Sequence, residues 1–240
     1  MAPARAHWRG RALRAVLFDL DGTLLDTVEA ISAALNRALA ERGLDTVPVE
    51  QVRRMIGRGA PMLIVRALAH LGVQLESAEQ AQLLQRYLAH YHDIESGAQS
   101  SDALYAGVRE CLRSLAAIDL RLAVVTNKPQ QISIGLLRRL DLNRWIDAVI
   151  GGDSCERRKP DPQPLLLACQ ALQVVSSDAL MIGDSINDVQ AARAAGMPVL
   201  CVPYGYNEGN DPRELPCDSL VETLADVPRL LTEQWAPPTR

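Results

Sequence analysis

The stretch Ala15-Val16-Leu17-Phe18-Asp19-Leu20-Asp21-Gly22-Thr23 decides how this chain folds. Four consecutive apolar residues suit a short strand buried on both faces of a parallel sheet, and two carboxylates follow at once. Acids two residues apart, just past a strand end, can project into one site, with Gly22 letting the chain turn sharply there. Such a pair permits a division of labour between an ionised nucleophile and a proton donor whose pKa its neighbour raises. The plainer reading is that aspartates after a strand shape a turn or cap a helix. For Asp26, which with Glu29 approaches a capping-box pattern, capping is the expected role.

The same strand-then-polar pattern recurs along the chain. Leu122–Val125 runs into Thr126, Ala179–Ile182 into Gly183 and Asp184, and Ala148–Ile150 into Gly151-Gly152-Asp153; Pro198–Val202 has the same look. Helical patterns at 107–117, 130–140, 163–172 and 187–195 alternate with these runs. That alternation predicts βαβ units and an α/β fold, a doubly wound, Rossmann-like parallel sheet. Ligands bind beyond the carboxyl ends of such strands, where Asp19, Thr126 and Asp184 fall. Residues 28–95 break the rhythm with four helix-like stretches (about 28–42, 48–56, 60–71 and 77–93), and Gly43 and Gly72 stand where C-terminal caps are expected. The expected organisation is a frayed N-terminal extension (1–13), an α/β core (14–26 and 100–240) and an inserted helical cap (27–99). Short linkers at 25–28 and 96–104 would act as a hinge.

Composition narrows the classes. The 240 residues carry 25 Lys+Arg against 29 Asp+Glu, a net charge of −4, with 48% hydrophobic residues and 4% aromatic. That balance describes a globular domain and supplies no general pull toward nucleic acid. Five cysteines, odd in number and without a C-x-x-C pair, read as reduced thiols of a cytoplasmic protein. No apolar run approaches the roughly 18 residues needed to span a bilayer.

Further candidates stand at the other strand ends. Asp184 and Asp188 could join Asp19 around a hard, oxygen-preferring cation such as Mg²⁺, although Ser185-x-x-Asp188 also reads as a capping box. Thr126 and Asn127 can hold a phosphate oxygen with a hydroxyl and backbone N–H groups. Lys159, before the rigid Pro160-Asp161-Pro162 loop, would present a fixed point charge. In the insert, Arg58 lies between two glycines, where it could meet a substrate carboxylate; Arg66 is expected to pack or pair at the cap surface. His70, His90 and His92 lack metal-ligand spacing, and Tyr204 and Tyr206 are expected to pack near the cap.

Together these motifs resemble the haloacid dehalogenase superfamily of phosphohydrolases: D-x-D-G-T at 19–23, T-N at 126–127, K-P at 159–160 and G-D-x-x-x-D at 183–188, in order over about residues 14–231. Met55-Ile56-Gly57-Arg58-Gly59, Thr126–Pro129 and Val202–Gly209 further resemble its phosphoglycolate phosphatase family, with Ala106 where relatives usually carry proline. The resemblance implies that Asp19 attacks phosphorus, Asp21 acts as acid and base, and Thr126, Asn127 and Lys159 bind the phosphoryl group. It also implies Mg²⁺ held by Asp19, the Asp21 carbonyl and Asp184, with Asp188 nearby, and a small phosphorylated metabolite as substrate. A dehalogenase would lack Asp21, a phosphomutase of this cap type would carry histidine at Ile31, and a phosphonate hydrolase would need a cap lysine, absent from 28–95. A phospho-accepting receiver module would lack the helical insert. The choice among 2-phosphoglycolate, other small esters and pyrophosphate stays open at this level, as does the oligomeric state.

Overall fold

A computed structural model describes residues 6–96 and 103–232. The chain enters through a hairpin, β1 (His7–Trp8) and β2 (Arg11–Ala12), turned by Arg9 and Gly10 at φ 49° and 79°. Positive φ at both turn residues matches the twist of paired antiparallel strands. The expected fraying is therefore corrected for residues 6–13: Ala6, Trp8 and Leu13 join the apolar cluster that holds Val227 and Leu231, and that burial orders the segment. Residues 1–5 of the expected extension lie outside the described residues.

The deciding stretch forms β3 (Ala15–Phe18), every residue of it buried. A short β4 (Leu25–Asp26) leads into four helices, α1 (Val28–Ala40), α2 (Val49–Arg53), α3 (Ala60–Leu71) and α4 (Ser77–Ser96). These share an apolar cluster of their own, built on Leu35, Leu39, Ile64, Leu83 and Tyr91. Gly72, at φ 67°, ends α3 in the left-handed cap that glycine adopts without a Cβ penalty. The chain returns through β5 (Ala103–Leu104), which pairs antiparallel with β4, so the stretches expected as loose linkers meet as a two-stranded stem. Most of the expected return linker, 97–102, lies outside the described residues.

Beyond the stem come α5 (Val108–Ala116), β6 (Arg121–Val125), α6 (Gln130–Arg139), β7 (Ala148–Ile150), α7 (Gln163–Leu172), β8 (Ala179–Gly183), α8 (Ile186–Ala194), β9 (Val199–Cys201), β10 (Ser219–Leu220) and α9 (Val227–Thr232). The sheet runs β10-β9-β8-β3-β6-β7 with every neighbouring pair parallel. The expected doubly wound α/β sheet with a helical insert is thus present. Because β3 lies between β6 and β8, the chain crosses to either side of it, and a crevice opens at its carboxyl end. Register sets the level: Phe18 faces Val124 on one side and Ile182 on the other, so Asp19, Thr126 and Asp184 emerge together. Apolar residues pack on both sheet faces, with Leu112, Leu136 and Leu224 on one and Leu165, Ala168 and Val189 on the other. No described helix is long and apolar enough to cross a membrane.

Candidate active site

Asp19 and Asp184 are almost wholly buried at this edge, and a ligand oxygen from each lies within 4.8 Å of one from the fully buried Asp188. Burial pushes the Asp19 carboxyl up to about 7, with Lys159 opposing and Asp188 adding to the rise. Asp184 is driven well above the ordinary carboxylate range by burial and by its two neighbours. Thr23 Oγ1 donates to Asp184 Oδ1 (3.1 Å) and the Tyr206 amide to Oδ2 (2.6 Å). Gly22 is required beside it: its φ is +88°, and a Cβ there would stand 2.4 Å from Asp184 Oδ2.

Lys159 neutralises part of this charge. Its Nζ donates to Asp188 Oδ1 and the Val125 carbonyl, both at 2.7 Å, and sits 2.9 Å from Asp19 Oδ1. Burial alone would lower its pKa, but Asp188 and Asp19 outweigh that and raise it, so the ammonium stays charged. Asp188, for which the sequence left cap and cation shell open, caps α8 and pairs with Lys159. Its Oδ2 closes the capping box of α8, accepting from the Ser185 amide and hydroxyl and from the Asp184 amide, while Oδ1 takes Lys159. Three donors saturate Oδ2, so Asp188 positions its neighbours and is poorly placed to ligate directly.

Asp19 Oδ1 is a different case. It is buried, ion-paired with Lys159 but in no hydrogen bond, the kind of under-satisfied oxygen that a hard cation would complete. Asp19 and Asp184 bring carboxylate oxygens within 4.8 Å of one another, the donor chemistry that a hard cation such as Mg²⁺ prefers.

Asp21 is braced at both oxygens: Thr27 Oγ1 donates to Oδ1 (2.8 Å) and Lys128 Nζ to Oδ2 (2.9 Å). The cavity above is floored by Asp19, Asp21, Thr126, Lys128 and Asp184 and walled by Ile31, Ile56, Leu63, Tyr87, Tyr91 and Ile132. It is open in part to solvent and leaves room for a small ligand among these side chains.

Two expectations, those for Arg58 and Asp26, need correction, and the Asn127 side chain has a further role. The Asn127 amide is engaged on every side: Nδ2 donates to the carbonyls of Gly57 and Lys159, and Oδ1 accepts from the Lys159 amide. Its side chain therefore braces the insert against the Lys159 loop, and any part in holding an anion falls to its backbone. Arg58 does not line the cavity; it turns to Glu208 (3.1 Å), where Arg66 also pairs (2.8 Å) and Asn187 donates (3.1 Å). The pairing expected of Arg66 is present, but across to the α/β core and not along the cap surface. Asp26 forms no capping box with Glu29, and the Thr27 N-cap makes no side-chain cap bond; Asp26 Oδ1 accepts both from the Val28 amide at the start of α1 (3.4 Å) and from the Tyr206 hydroxyl (2.8 Å), while the Thr27 amide donates to that same hydroxyl. Tyr206 thus pins the stem and, through its amide, Asp184. Tyr204 packs on Tyr105 with ring centroids 4.3 Å apart. His90 pairs with Glu41 on the cap, consistent with a structural reading.

Sequence reasoning passed over Lys128, Tyr91 and Glu208. Only Lys128 carried a usable signal, as part of Thr126-Asn127-Lys128 at a strand end.

The chain belongs to the haloacid dehalogenase-like hydrolase family, whose model matches residues 16–202. It is an enzyme of that family, and its relatives are phosphatases by name. A phosphoglycolate phosphatase from Nitrosospira multiformis is 43% identical over 220 residues, covering 91% of this chain and 96% of its own. One from Rhodospirillum rubrum is 44% identical over 200 residues, covering 81% of each. Among solved structures, that of a protein described as a predicted phosphoglycolate phosphatase from Haemophilus somnus superposes with a TM-score of 0.84 at 29% identity, covering 91% of this chain and 97% of its own.

Proposed function

We propose that this chain is a Mg²⁺-dependent phosphatase of small phosphate monoesters, with 2-phosphoglycolate as its substrate and glycolate and phosphate as products. The observation that carries the reading is the buried group of Asp19, Asp184 and Lys159 beneath a small cavity, with Asp21 braced at its edge. The relatives' names supply the particular ester.

In this reading Asp19 attacks phosphorus in line, forming an aspartyl-phosphate as the bond to the leaving oxygen breaks. Asp21, fixed by Thr27 and Lys128, gives its proton to that oxygen. It then takes a proton from the water that cleaves the aspartyl-phosphate. Lys159 offsets charge at Asp19, and the Thr126 hydroxyl and following backbone orient the phosphoryl oxygens. Asp19, Asp184 and the Asp21 carbonyl would hold Mg²⁺, which supplies the positive charge that lets a carboxylate approach a phosphate dianion. Five free thiols fit a reducing compartment, and we place the reaction in the cytoplasm.

The test is kcat/KM over a panel of phosphate esters and pyrophosphate, with and without Mg²⁺. The reading expects 2-phosphoglycolate to exceed the others at least tenfold, and all turnover to vanish with chelation. A flat panel removes the substrate assignment, and full metal-free turnover removes the cation.

A further inference from the structure

Resting on the phosphatase reading, we propose that Lys128 selects the substrate by holding a carboxylate borne on the same carbon as the phosphate ester, so that the preferred substrates are phosphate esters of 2-hydroxy acids. Lys128 and Lys159 are the only lysines in the chain, and both are buried at this site. Lys159 is enclosed by Asp19, Asp188 and the Val125 carbonyl. Lys128 faces the cavity, and it is the one cationic side chain among the described lining residues, against three carboxylates. Arg58 and Arg66 of the insert are both held by Glu208. Lys128 is therefore the cation that an anionic leaving group would meet.

Its surroundings leave a direction open. One N–H is donated to Asp21 Oδ2, the one hydrogen-bond acceptor it has among the described residues, and the Tyr91 ring covers another side with its centroid 4.5 Å away. An ammonium has three donors, so a further one remains for a ligand.

Distance then limits the ligand. A leaving oxygen that receives its proton from Asp21 Oδ2 lies about 2.8 Å from that atom. With Lys128 Nζ 2.9 Å from Oδ2, the leaving oxygen is within about 6 Å of the ammonium. A carboxylate attached through one carbon carries its oxygens about 3 Å from the leaving oxygen, which closes the gap with one charge-assisted bond. An added methylene shifts the carboxylate relative to Nζ, an uncharged end forms no such bond, and an ammonium end is repelled. Lysine suits the place because it is a compact point charge, whereas a guanidinium fork needs more room.

The test compares kcat/KM at saturating Mg²⁺ for 2-phosphoglycolate, the phosphate ester of 3-hydroxypropionate, ethyl phosphate and 2-aminoethyl phosphate. In the unaltered protein the order falls as written, with at least tenfold between the first and each of the others. Lys128→Met reduces the ratio of 2-phosphoglycolate to ethyl phosphate at least tenfold, mainly through KM, and Lys128→Arg keeps more of that ratio than Lys128→Met. Equal loss on all four esters in Lys128→Met would overturn the proposal, because a role confined to bracing Asp21 predicts it. If Lys128→Met does not fold, the order in the unaltered protein still decides: turnover without carboxylate preference refutes this inference, and the 2-phosphoglycolate assignment with it, while leaving the phosphatase reading in place. Absence of turnover on every ester refutes the phosphatase reading beneath it.

Discussion

Glu208 is the most informative residue to remove, because one side chain ties the helical insert to the core. Its carboxylate accepts from Arg66 at 2.8 Å and from Arg58 at 3.1 Å, and Asn187 donates to the same group. Burial would raise its pKa, but the bonds from Asn187 and Arg66 prevail and lower it, so it is ionised at neutral pH. The Glu208 and Arg66 side chains are 11% and 25% exposed, and a charge-assisted bond in such a setting contributes about 1.5–3 kcal/mol. Arg58 is 46% exposed, and solvent screening cuts its pair to about 0.2–1 kcal/mol. Glu208→Ala should therefore weaken docking of the insert by about 2–4 kcal/mol. Other links remain, notably Asn127 Nδ2 to the Gly57 carbonyl, so the insert stays folded and tethered. Since every 1.4 kcal/mol is tenfold, kcat/KM should fall at least tenfold if the docked arrangement is the one that turns over. Kinetics on a phosphate ester, with a Glu208→Ala and Arg66→Ala double-mutant cycle on the same parameter, measures it. The cycle should return about 1–2 kcal/mol of coupling. Additive effects, or kcat/KM within twofold of the unaltered protein, would refute the claim that this cluster holds the insert down.

Three further outcomes follow from the geometry. Gly22→Ala should lower kcat/KM by at least a hundredfold, since a Cβ would meet Asp184 Oδ2 at 2.4 Å in a left-handed backbone; kinetics near the unaltered value would show that Asp184 can give way. In metal-free protein the raised Asp19 pKa contributes stability that is present below about 4 and lost as pH rises toward about 7, so thermal unfolding should show Tm falling across that window and Mg²⁺ restoring more at pH 8 than at pH 6. A metal-free Tm that does not change there would contradict the buried, under-satisfied carboxyl. Trp8→Ala should cost about 3 kcal/mol in denaturant unfolding while leaving KM unchanged, because Trp8 packs into the core cluster and is not among the cavity-lining residues; a loss below about 1 kcal/mol would return the hairpin to a frayed extension.

Much of this was legible in residue order. Continuous apolar runs such as Ala15–Phe18 and Ala179–Ile182 mark buried parallel strands, and the acids after them mark the reactive edge, because strand ends in register must emerge together. Tertiary choices were hidden. Nothing local to Asn127 says that its amide would be consumed by Gly57 and Lys159, elements far away in sequence. Arg58 looked free because its partner Glu208 lies 150 residues on, in a loop with positive φ at Asn207 and Glu208. Asp26 and Glu29 had the spacing of a capping box, but Asp26 Oδ1 is shared between the Val28 amide and the Tyr206 hydroxyl. The hairpin at 7–12 was missed because Arg-rich, acid-free segments carry little periodicity, and its order comes from burial of Trp8 and of the flanking Ala6 and Leu13.

The central claim is that Asp19 becomes covalently phosphorylated during turnover. Acid quenching of the Mg²⁺-loaded enzyme on phosphate-labelled ester, followed by mass mapping of the labelled peptide, tests it most directly. The account predicts phosphate on Asp19 that accumulates within a turnover and is absent from Asp19→Asn. Turnover with no label on the protein, or with label on another residue, would contradict it.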